Sequence, residues 1–561
     1  MVTQDPLFPA FRSLSELFEF RCHQKPQELA YVFVRDTLDL ERQLTYGELE
    51  RTVCSLAGQL AQRARPGTRV LLLYPPGIDV VCAFWACICA GLVPVPAPVP
   101  DPVRRKHSLP RLRAIIEDAQ ASLVLTTSGI ETLSSELSVV TDENPIEWMA
   151  TDQSYDHTDT VELPRLAETA LAYLQYTSGS TATPRGVMIS HQNILAQCKA
   201  LLQVAGADSK SRSLCWLPYF HDYGLVHGII APFYAGIPAY LMSPITFLRR
   251  PLRWLEAIDR WGITHSGAPN FAYESCAKAL RQQIDWAGHL QQWVMASCGA
   301  EPIHADTMDE FTQAFEVHGF ARGAFSPAYG LAESTLVVTT KRLGEDPLIL
   351  HVADDALAAH RVSQVAPEAK GARRLVGCGP PLPDTTVRIV DLVTLAACAA
   401  DHIGEIWVAS PSVCQGYWNR DEAQDISFRA CLTGDTEQTF MRTGDMGFLH
   451  DGQLFVTGRL KDLIIVHGRN LYPHDIERTV ERSYPGLRNN GGAAFSVQEG
   501  REESLVVLQE VERALPVDVE AIAIAIRQAV MEVHEVAVSS VVLVRSGGLP
   551  KTSSGKIQRR A

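Results

Sequence analysis

The sequence of 561 residues lacks the patterns of a zinc ribbon, a disulfide scaffold or a nucleic-acid binder. Its 13 cysteines are scattered and none forms a CxxC pair, Cys87 and Cys89 being nearest to each other. Because such frameworks need regular cysteine spacing, we expect mostly small buried thiols in a reducing compartment. Lys and Arg number 50 against 64 Asp and Glu, and the resulting net charge of −14 disfavours nucleic acid as a partner.

Segments that would direct the chain to a membrane are also lacking. Met1–Ala10 has no basic stretch followed by an apolar one, so no signal peptide is predicted. Val80–Pro100 carries no charge, but its prolines cannot continue a helix. The helical part, Val80–Ala90, would rise about 16 Å, against an apolar bilayer core of about 30 Å. We predict a buried helix, a proline-rich strand and no membrane span, in a soluble cytoplasmic protein.

Helical and strand patterns alternate along most of the chain. Capping-box spacing at Ser13 and Glu16, and again at Thr45 and Glu48, predicts two helix starts. Strands that alternate with helices favour a mostly parallel sheet covered by helices. The predicted fold class is therefore α/β, with a large body of several subdomains and mostly parallel sheets.

The character of the sequence changes towards the C-terminus. Short strands with turns predict a small β unit over residues 376–458, at the end of a large body that spans 1–458. Beyond it, two helices and three strands predict a compact α+β domain over 462–561, joined through residues 459–461. A unit of about 100 residues has the usual size of a domain.

Tyr176–Val187 (YTSGSTATPRGV) contains five hydroxyl side chains and two glycines between two predicted strands. Main-chain N–H groups and hydroxyls at this density can bind phosphate oxygens, and Arg185 can add a charged contact. The Walker A pattern is absent. Composition alone leaves a surface turn rich in Ser and Thr equally open.

The order of residues in this loop resembles the signature of the adenylate-forming superfamily, which includes acyl-CoA synthetases, nonribosomal-peptide adenylation domains and firefly luciferase. Two positions differ from the usual loop: Ala182 stands where Gly is common, and Arg185 where Lys is common. Arginine keeps the positive charge but not the compact geometry of lysine. The resemblance implies that the triphosphate is bound by Thr177, Ser178, Gly179, Ser180, Thr181 and Arg185.

Further blocks resemble those of the same superfamily, in the same order. In SPAYGLAEST, Tyr329 would pack on adenine beside Ala328, Gly330 and Leu331, and Glu333 would help to hold Mg²⁺. In RTGDMG, Asp445 would bind the ribose hydroxyls, because a carboxylate only accepts hydrogen bonds. After it, Arg459 would contact the nucleotide and Lys461 would lie at the hinge between domains.

The last block, PKTSSGK, would place the catalytic lysine at Lys556. Attack of a carboxylate on the α-phosphate brings two anions together, and a cation that touches both lowers that barrier. Taken alone, a lysine in a Ser/Gly-rich loop is usually a solvated surface residue. Its place in a series that spans residues 176 to 556 makes that alternative weak.

Other blocks resemble one branch of the superfamily, the fatty acyl-AMP ligases. They are WLPYFHDYGLVHG from Trp216, SGAPNFAY from Ser266, SCGAEP from Ser297 and HGRNLYP from His467. The resemblance implies that Gly299, Ala300 and Glu301 lie beside the adenine, and that His221 and Asp222 lie near the acyl and phosphate groups. We expect His221 to act as a wall or gate, because the attacking carboxylate is already ionised and needs no base.

The acyl chain itself needs an apolar tunnel beneath the nucleotide. Trp216, Phe233 and Phe271 are candidate lining residues, although large aromatic side chains are more often part of the core.

Leu348–Lys370 resembles an insertion found in fatty acyl-AMP ligases, where it is thought to pack between domains and limit the rotation that transfer to CoA needs. A surface loop without a role is the alternative. The apolar residues of the segment favour docking.

The resemblance thus implies an enzyme that uses ATP and Mg²⁺ to convert a medium- or long-chain fatty acid to acyl-AMP with release of pyrophosphate. The acyl group would pass to the phosphopantetheine thiol of a holo acyl carrier protein, in polyketide, lipopeptide or lipid biosynthesis. An acyl-CoA synthetase and a non-catalytic regulator that binds acyl groups or nucleotide are the alternatives. Because carrier proteins are generally acidic, docking would need a local basic patch, for which Arg104–Lys106, Arg249–Arg250 and Arg559–Arg560 are candidates.

Overall fold

The computed structural model describes most of the chain. The described residues are 10–100, 105–133, 146–152, 164–177, 184–283, 286–420, 426–466, 469–499, 502–512, 518–552 and 557–559. The α-helices are Leu14–Gln24, Tyr46–Arg63, Ile78–Cys89, Arg105–Ala119, Ser128–Glu131, His191–Ala205, Ala231–Ala235, Pro244–Arg249, Leu252–Trp261, Asn270–Gln282, Ala305–Phe315, Asp354–Ala358, Pro473–Ser483 and Val519–His534, and a π-helix spans Tyr223–Ile230.

The first two predicted helices begin at the capping residues that the sequence indicated. Ser13 accepts a hydrogen bond from the Glu16 backbone N–H, and Thr45 and Glu48 form a full capping box at the start of Tyr46–Arg63. A capping box satisfies N–H groups that the helix itself leaves without partners. The charge-free segment folds as predicted, into the buried helix Ile78–Cys89 and the strand Val93–Pro96.

An eight-stranded sheet forms the centre of the body, and we call it the large sheet. In spatial order its strands are Val337–Thr340, Phe325–Gly330, Met295–Cys298, His265–Ala268, Ser213–Cys215, Ala239–Met242, Leu29–Val34 and Leu40–Thr45. The six central strands run parallel and the strand at each edge is antiparallel. The predicted α/β class with mostly parallel sheets is confirmed.

A second, fully parallel sheet lies in the N-terminal part of the body. Its order is Val93–Pro96, Arg69–Leu73, Leu123–Thr126 and Glu147–Ala150. A separate antiparallel hairpin, Leu171–Thr177 and Arg185–Ser190, flanks the Ser/Thr-rich loop and pairs Thr177 with Arg185. The loop therefore joins two strands, as the sequence indicates.

The β unit is an antiparallel sheet of five strands. They are Thr386–Val390, Gly404–Ala409, Ala430–Leu432, Asp435–His450 and Gln453–Arg459. The 16-residue strand Asp435–His450 was not predicted, because polar residues interrupt its apolar pattern. Next to this unit, Ile349–Ala353 and Ala372–Val376 pair as a second hairpin, which we call the insertion hairpin. Leu350, Val352 and Leu357 of the insertion hairpin pack against Phe448 and Phe455 of the β unit.

The C-terminal part has its own hydrophobic core, formed by residues between Ile464 and Val538. The strands Leu487–Glu499, Glu502–Val511 and Val538–Arg545 form a sheet against which Pro473–Ser483 and Val519–His534 pack. Two helices and three strands had been predicted here. All 13 cysteines are free and ten are buried, in agreement with the expectation of small apolar thiols.

Candidate active site

The candidate site lies at the carboxyl ends of the parallel strands, the edge of such a sheet where ligands generally bind. Gly299 and Ala300 directly follow the strand Met295–Cys298. A Cβ at Gly299 would lie 2.9 Å from the carbonyl oxygen of Ala328, so the backbones approach too closely for a side chain. Ala300 has a φ of +67°, which is unusual for a residue other than glycine and is typical of functional turns. The predicted adenine-contacting residues therefore lie on two adjacent strand ends.

Asp445 joins two other predicted nucleotide residues. Its Oδ2 accepts a hydrogen bond from the Tyr329 hydroxyl at 2.8 Å, and its Oδ1 accepts one from Arg459 Nε at 3.1 Å. Burial, reinforced by the Asp445 charge, raises the pKa of Tyr329, and Asp445 also raises the pKa of Arg459. Tyr329 is thus a neutral donor and Arg459 a fixed cation beside one carboxylate. The sequence predicted these three residues separately, and the structure brings them together.

Gly330 and Leu331 continue the Tyr329 block. A Cβ at Gly330 would collide with the carbonyl oxygen of Leu336, so the chain needs glycine at this position. Leu331 is half-buried against the β unit. The block is therefore held between the large sheet and the β unit.

Sequence reasoning missed Glu405, which holds residues 442–445, the bulged part of the strand Asp435–His450 that carries Asp445 and that we call the Asp445 loop. Its buried carboxylate accepts hydrogen bonds from Arg442 Nη2 at 2.7 Å, Trp407 Nε1 at 3.0 Å and the Gly444 backbone N–H at 3.1 Å. Gly444 has a φ of +71°, which suits glycine. A glutamate inside the apolar strand Gly404–Ala409 was the only available signal, because a buried carboxylate needs partners.

Glu333, the predicted metal ligand, and Arg185 of the Ser/Thr-rich loop both contact Tyr417. The Tyr417 hydroxyl donates to Glu333 Oε1 at 2.7 Å, and the Arg185 guanidinium lies 5.3 Å from the centre of the Tyr417 ring. Burial, together with the Glu333 charge, raises the pKa of Tyr417, so its hydroxyl stays protonated. Tyr417 was not predicted. Ser178, Gly179, Ser180 and Thr181 lie outside the described residues.

A half-buried carboxylate is the kind of ligand that Mg²⁺ prefers, and substrate phosphates commonly supply the remaining oxygens. Within the described part of the chain, no group of three or more His, Cys, Asp or Glu could hold a metal ion. Glu333 therefore fits a cation that is bound mainly through the nucleotide.

His221 and Asp222 form a pair at the start of the π-helix. Nδ1 of His221 lies 2.5 Å from Oδ1 of Asp222, and the Tyr223 backbone N–H donates to the same Asp222 oxygen at 2.7 Å. A Cβ at Gly224 would collide with the carbonyl oxygen of Pro218, which explains the glycine in this block. Asp222 thus contacts both His221 and the first residue of the π-helix.

The predicted acyl-lining aromatics separate into two groups. Trp216 stacks on Phe247 with 4.0 Å between ring centroids, and Phe271 meets it edge-on at 6.3 Å. The Phe271 backbone N–H donates to Glu301 Oε1 at 2.6 Å, which ties this group to the adenine side of the site. Phe233 instead packs in another core cluster, 4.4 Å from Trp85. The structure does not bring Phe233 together with Trp216 and Phe271.

Residues near the predicted hinge continue directly from the β unit. The strand Gln453–Arg459 leads into a short 3₁₀ helix, Leu460–Asp462, that contains Lys461. Lys556 lies outside the described residues. Lys551 and Ile557, which precede and follow it in the sequence, form an isolated antiparallel β-bridge.

Two ion-pair groups cross from the body to the C-terminal helix Pro473–Ser483, and we call this contact the seam. Arg373 of the insertion hairpin contacts Asp354 at 2.6 Å and also forms an ion pair with Asp475. Burial opposes the charged form of Asp475, but Arg373, with His474 beside it, lowers the pKa of Asp475 to about 2. Sequence reasoning missed this group.

The second group of the seam is centred on Asp306. This carboxylate accepts hydrogen bonds from Arg374 at 2.9 Å, Arg478 at 3.0 Å and Arg482 at 2.9 Å. In addition, Asn470 Nδ2 donates to the carbonyl oxygen of Ala358 at 2.9 Å. The insertion hairpin and the helix Ala305–Phe315 thus both hold the C-terminal unit.

Comparison with known proteins identifies the same family as the motif blocks. Residues 18–418 match the family described as AMP-binding enzyme, and residues 461–561 match the AMP domain of Disco-interacting protein 2-like proteins. The chain is 46% identical over 562 residues to the medium-chain-fatty-acid–acyl-carrier-protein ligase JamA of Moorena producens, covering 99% of this chain and 95% of that protein. It is 35% identical to a long-chain-fatty-acid–AMP ligase of Mycobacterium tuberculosis, covering 95% and 93%.

Solved structures agree with the sequence matches. A fatty acid AMP ligase from Legionella pneumophila superposes with a TM-score of 0.78 at 36% identity, covering 100% of this chain and 96% of that one. A structure from a study of fatty acyl-adenylate ligases of E. coli and L. pneumophila gives a TM-score of 0.87 at 28% identity, covering 98% and 96%. No helix in the described residues is long and apolar enough to cross a membrane. Because the matches span nearly the whole length of the chain and of its relatives, the protein belongs to the AMP-binding enzymes and, among them, to the fatty acyl-AMP ligases.

Proposed function

We propose that the protein activates a medium- or long-chain fatty acid with ATP, releases pyrophosphate, and transfers the acyl group from acyl-AMP to the phosphopantetheine thiol of an acyl carrier protein. The single observation that carries this is the Tyr329–Asp445–Arg459 cluster at the strand ends of a fatty acyl-AMP ligase. The reaction needs two steps, because a thiol that attacked the free fatty acid would have to expel hydroxide, which is a poor leaving group. A thiol that attacks acyl-AMP expels AMP, which is a good one.

The nucleotide is bound by groups that match its parts. A carboxylate has about four lone-pair sites, and Tyr329 and Arg459 each donate to a different oxygen of Asp445, so it can also accept from two ribose hydroxyls. The adenine lies against Tyr329 and the turn at Gly299–Glu301. Glu333 would hold Mg²⁺, and the ion would neutralise phosphate charge.

The chemical step needs a cation rather than a base. The fatty-acid carboxylate is already ionised and attacks the α-phosphate, so Lys556 stabilises two converging anions. His221, held by Asp222, forms a wall of the site. Arg185 of the Ser/Thr-rich loop supplies a further positive charge near the phosphates.

The decisive experiment incubates the protein with ATP and a graded series of fatty acids, then adds CoA and a holo carrier protein in separate reactions. We expect acyl-AMP first and acyl-carrier product second, with little acyl-CoA. Lys556→Ala should suppress acyl-AMP formation strongly while ATP binding, measured by calorimetry, stays nearly unchanged. Full adenylation by this variant would contradict the role of Lys556.

The insertion hairpin acts as a brake on domain rotation, and the seam supplies the contacts for it. Arg373 joins the insertion hairpin to the C-terminal helix through Asp475. A brake of this kind would disfavour CoA as the acceptor if transfer to CoA needs a larger rotation than transfer to a carrier.

The brake can be tested by deletion and by a single substitution. Deleting Leu348–Lys370 should raise acyl-CoA formation, but Val352 within that segment is fully buried, so the deletion also removes core. Asp475→Asn breaks the ion pair with less damage and should raise the acyl-CoA fraction in the same direction. Asp401→Asn, which breaks the exposed pair with Arg361, is the matched control. An unchanged product ratio in both test proteins, still folded, would count against the brake.

The carrier protein is drawn from a polyketide, lipopeptide or lipid pathway, and the enzyme acts in the cytoplasm. Among the candidate basic patches, Arg559 is half-buried and forms ion pairs with Glu477 and Asp462. Arg249 and Arg250 are exposed, and their ion pairs with Asp36 and Glu256 are long, at 3.8 Å and 4.0 Å. Arg104 and Arg560 lie outside the described residues. Arg249–Arg250 is therefore the better supported docking candidate for an acidic carrier.

A further inference from the structure

Glu333 lies on a short turn whose backbone is strained. The turn contains the 3₁₀ helix Ala332–Ser334, and Thr335, directly after it, has a φ of +66°. A β-branched residue rarely adopts a positive φ and keeps it only where the surrounding structure holds it there. Thr335 is buried, and its hydroxyl donates to the carbonyl oxygen of Ser412 at 2.6 Å. We call residues 332–337 the Glu333 turn, and its conformation depends on contacts from outside it.

Gln197 holds the far end of the Glu333 turn from the helix His191–Ala205. Its Oε1 accepts hydrogen bonds from the backbone N–H groups of Leu336 at 3.2 Å and Val337 at 2.9 Å. The Gln197 side chain is fully buried, and buried backbone N–H groups need hydrogen-bond acceptors. A single side-chain oxygen thus binds two successive N–H groups that follow the strained residue.

Asn193 lies one helical turn before Gln197, on the same face of the helix. Its Nδ2 donates to the carbonyl oxygens of Pro411 and Val413, both at 2.8 Å. These carbonyls belong to residues 411–418, which we call the Tyr417 segment. Two neighbouring amide side chains of one helix therefore hold the Glu333 turn and the Tyr417 segment at a fixed distance from each other.

The Tyr417 segment in turn holds Glu333 at two points. The Cys414 backbone N–H donates to the Glu333 carbonyl oxygen at 2.9 Å, and the Tyr417 hydroxyl donates to Glu333 Oε1 at 2.7 Å. The segment also pairs with the strand that follows the Ser/Thr-rich loop, because the Trp418 backbone N–H donates to the carbonyl oxygen of Gly186 at 2.7 Å. The Glu333 carboxylate and that loop are thus linked through one set of hydrogen bonds.

We propose that Gln197 and Asn193 are positioning residues that fix the Glu333 carboxylate relative to the Ser/Thr-rich loop. The inference rests on the proposed function, because it takes Glu333 as the group that holds Mg²⁺. A carboxylate that is already in place loses less freedom when a cation binds. Loss of a residue that orients a metal ligand commonly costs about 10- to 100-fold in metal affinity.

Gln197→Leu tests the inference, because leucine keeps the bulk of the side chain but removes the acceptor. Calorimetry measures ATP binding with and without Mg²⁺. The gain in ATP affinity on adding Mg²⁺ should fall about tenfold, whereas ATP binding without Mg²⁺ and the KM for the fatty acid should stay nearly unchanged. In the ligand-free protein, hydrogen exchange should become faster at the amides of Leu336 and Val337.

Thr335→Val and Thr335→Ser test the same turn through its other contact. Valine keeps the shape of threonine without its hydroxyl, so Thr335→Val loses the hydrogen bond to Ser412 and should also reduce the gain from Mg²⁺. Thr335→Ser keeps the hydroxyl and should restore the gain. Ile194→Ala is the matched control, because Ile194 is fully buried in the same helix and its side chain forms no hydrogen bonds. This control should lower the melting temperature without changing the dependence on Mg²⁺.

The inference is overturned if Gln197→Leu and Thr335→Val lose no more of the gain from Mg²⁺ than Ile194→Ala does. If Gln197→Leu does not fold, the two Thr335 variants decide in the same way. A wild-type protein whose ATP binding is independent of Mg²⁺, or that forms no acyl-AMP with any fatty acid, would overturn the proposed function instead, so the two failures are distinguishable.

Discussion

Asp445 and Asp475 are both aspartates paired with arginine, the first buried and the second half-buried, but they lie in different regions of the molecule. Asp445 lies in the β unit, next to the end of the large-sheet strand that carries Tyr329, and Tyr329 and Arg459 each donate to one of its oxygens. Asp475 lies in the seam, enclosed by Arg373, Asp354 and His474. The same ion-pair chemistry thus serves ligand binding in one region and domain docking in the other.

The difference lies in what surrounds each carboxylate. Asp445 belongs to a loop held by Glu405, so its position is fixed before a ligand arrives. Asp475 is fixed by its own ion pair, and its partner comes from another part of the fold. Breaking the ion pair of Asp445 should therefore weaken nucleotide use, whereas breaking the ion pair of Asp475 should weaken docking of the C-terminal unit.

The largest effect is expected for Asp445→Asn. Hydrogen bonds to a charged group are worth about 1.5–3 kcal/mol each, so kcat/KM for ATP should fall about 100-fold. The measurement is the rate of acyl-AMP formation over a range of ATP concentrations. In Asp475→Asn, kcat/KM for ATP should change by less than about threefold, because the lost hydrogen bonds lie in the seam and not at the nucleotide site. Equal losses in the two variants would remove the distinction between the regions.

Arg373→Ala should have the next largest effect, on stability rather than on ATP use. It leaves the half-buried Asp354 and Asp475 without their common cation, and hydrogen bonds to a charged group are worth about 1.5–3 kcal/mol. Chemical denaturation with separate probes in the body and the C-terminal unit measures the loss. Arg322→Ala is a control, because its partner Asp309 keeps Arg374. A loss no greater than that of the control would mean that the seam adds little stability.

Glu405→Gln should have a moderate effect on nucleotide affinity. It weakens the hold on Arg442 and Gly444, so the Asp445 loop becomes less well fixed. We expect the KM for ATP to rise about tenfold, equivalent to about 1.4 kcal/mol, with kcat changed less. A fall in kcat at unchanged KM would show that Glu405 acts in some way other than through the loop.

The smallest effect concerns pH and the C-terminal unit. Burial, together with Glu274 and Glu477, raises the pKa of Glu481 from 4.5 to about 8. Since the folded state favours the protonated form, this group lowers stability progressively as pH rises from about 4.5 to about 8, with no further change above that. Glu481→Gln should remove this part of the pH dependence. Parallel curves of unfolding free energy against pH for the two proteins would refute it.

The local elements could be predicted where neighbouring residues carry the signal. The capping box of Thr45 and Glu48 lies within the first turn of the helix Tyr46–Arg63. The site residues Tyr329, Asp445 and Arg459 could be predicted because their blocks resemble a known family. Their mutual hydrogen bonds could not, since 116 residues separate Tyr329 from Asp445.

Other parts of the site left little signal in the sequence. Tyr417 contacts Glu333 across 84 residues, and Arg373 reaches Asp475 from another subdomain. Tyrosine and arginine are common on surfaces, so their types alone predict nothing about a partner. Phe233 shows the converse, because an aromatic residue near a site motif lies in a separate core cluster.

The sequence by itself determined the α/β class, the order of the motif blocks and the family, because helix caps, strand alternation and motif spacing depend on residues close in the chain. The tertiary structure decided which carboxylates are paired, how the insertion hairpin holds the C-terminal unit, and that Trp216 and Phe271 meet while Phe233 lies in another core cluster. The physical reason is that ion pairs and ring contacts form between residues far apart in sequence, and only packing brings them within reach.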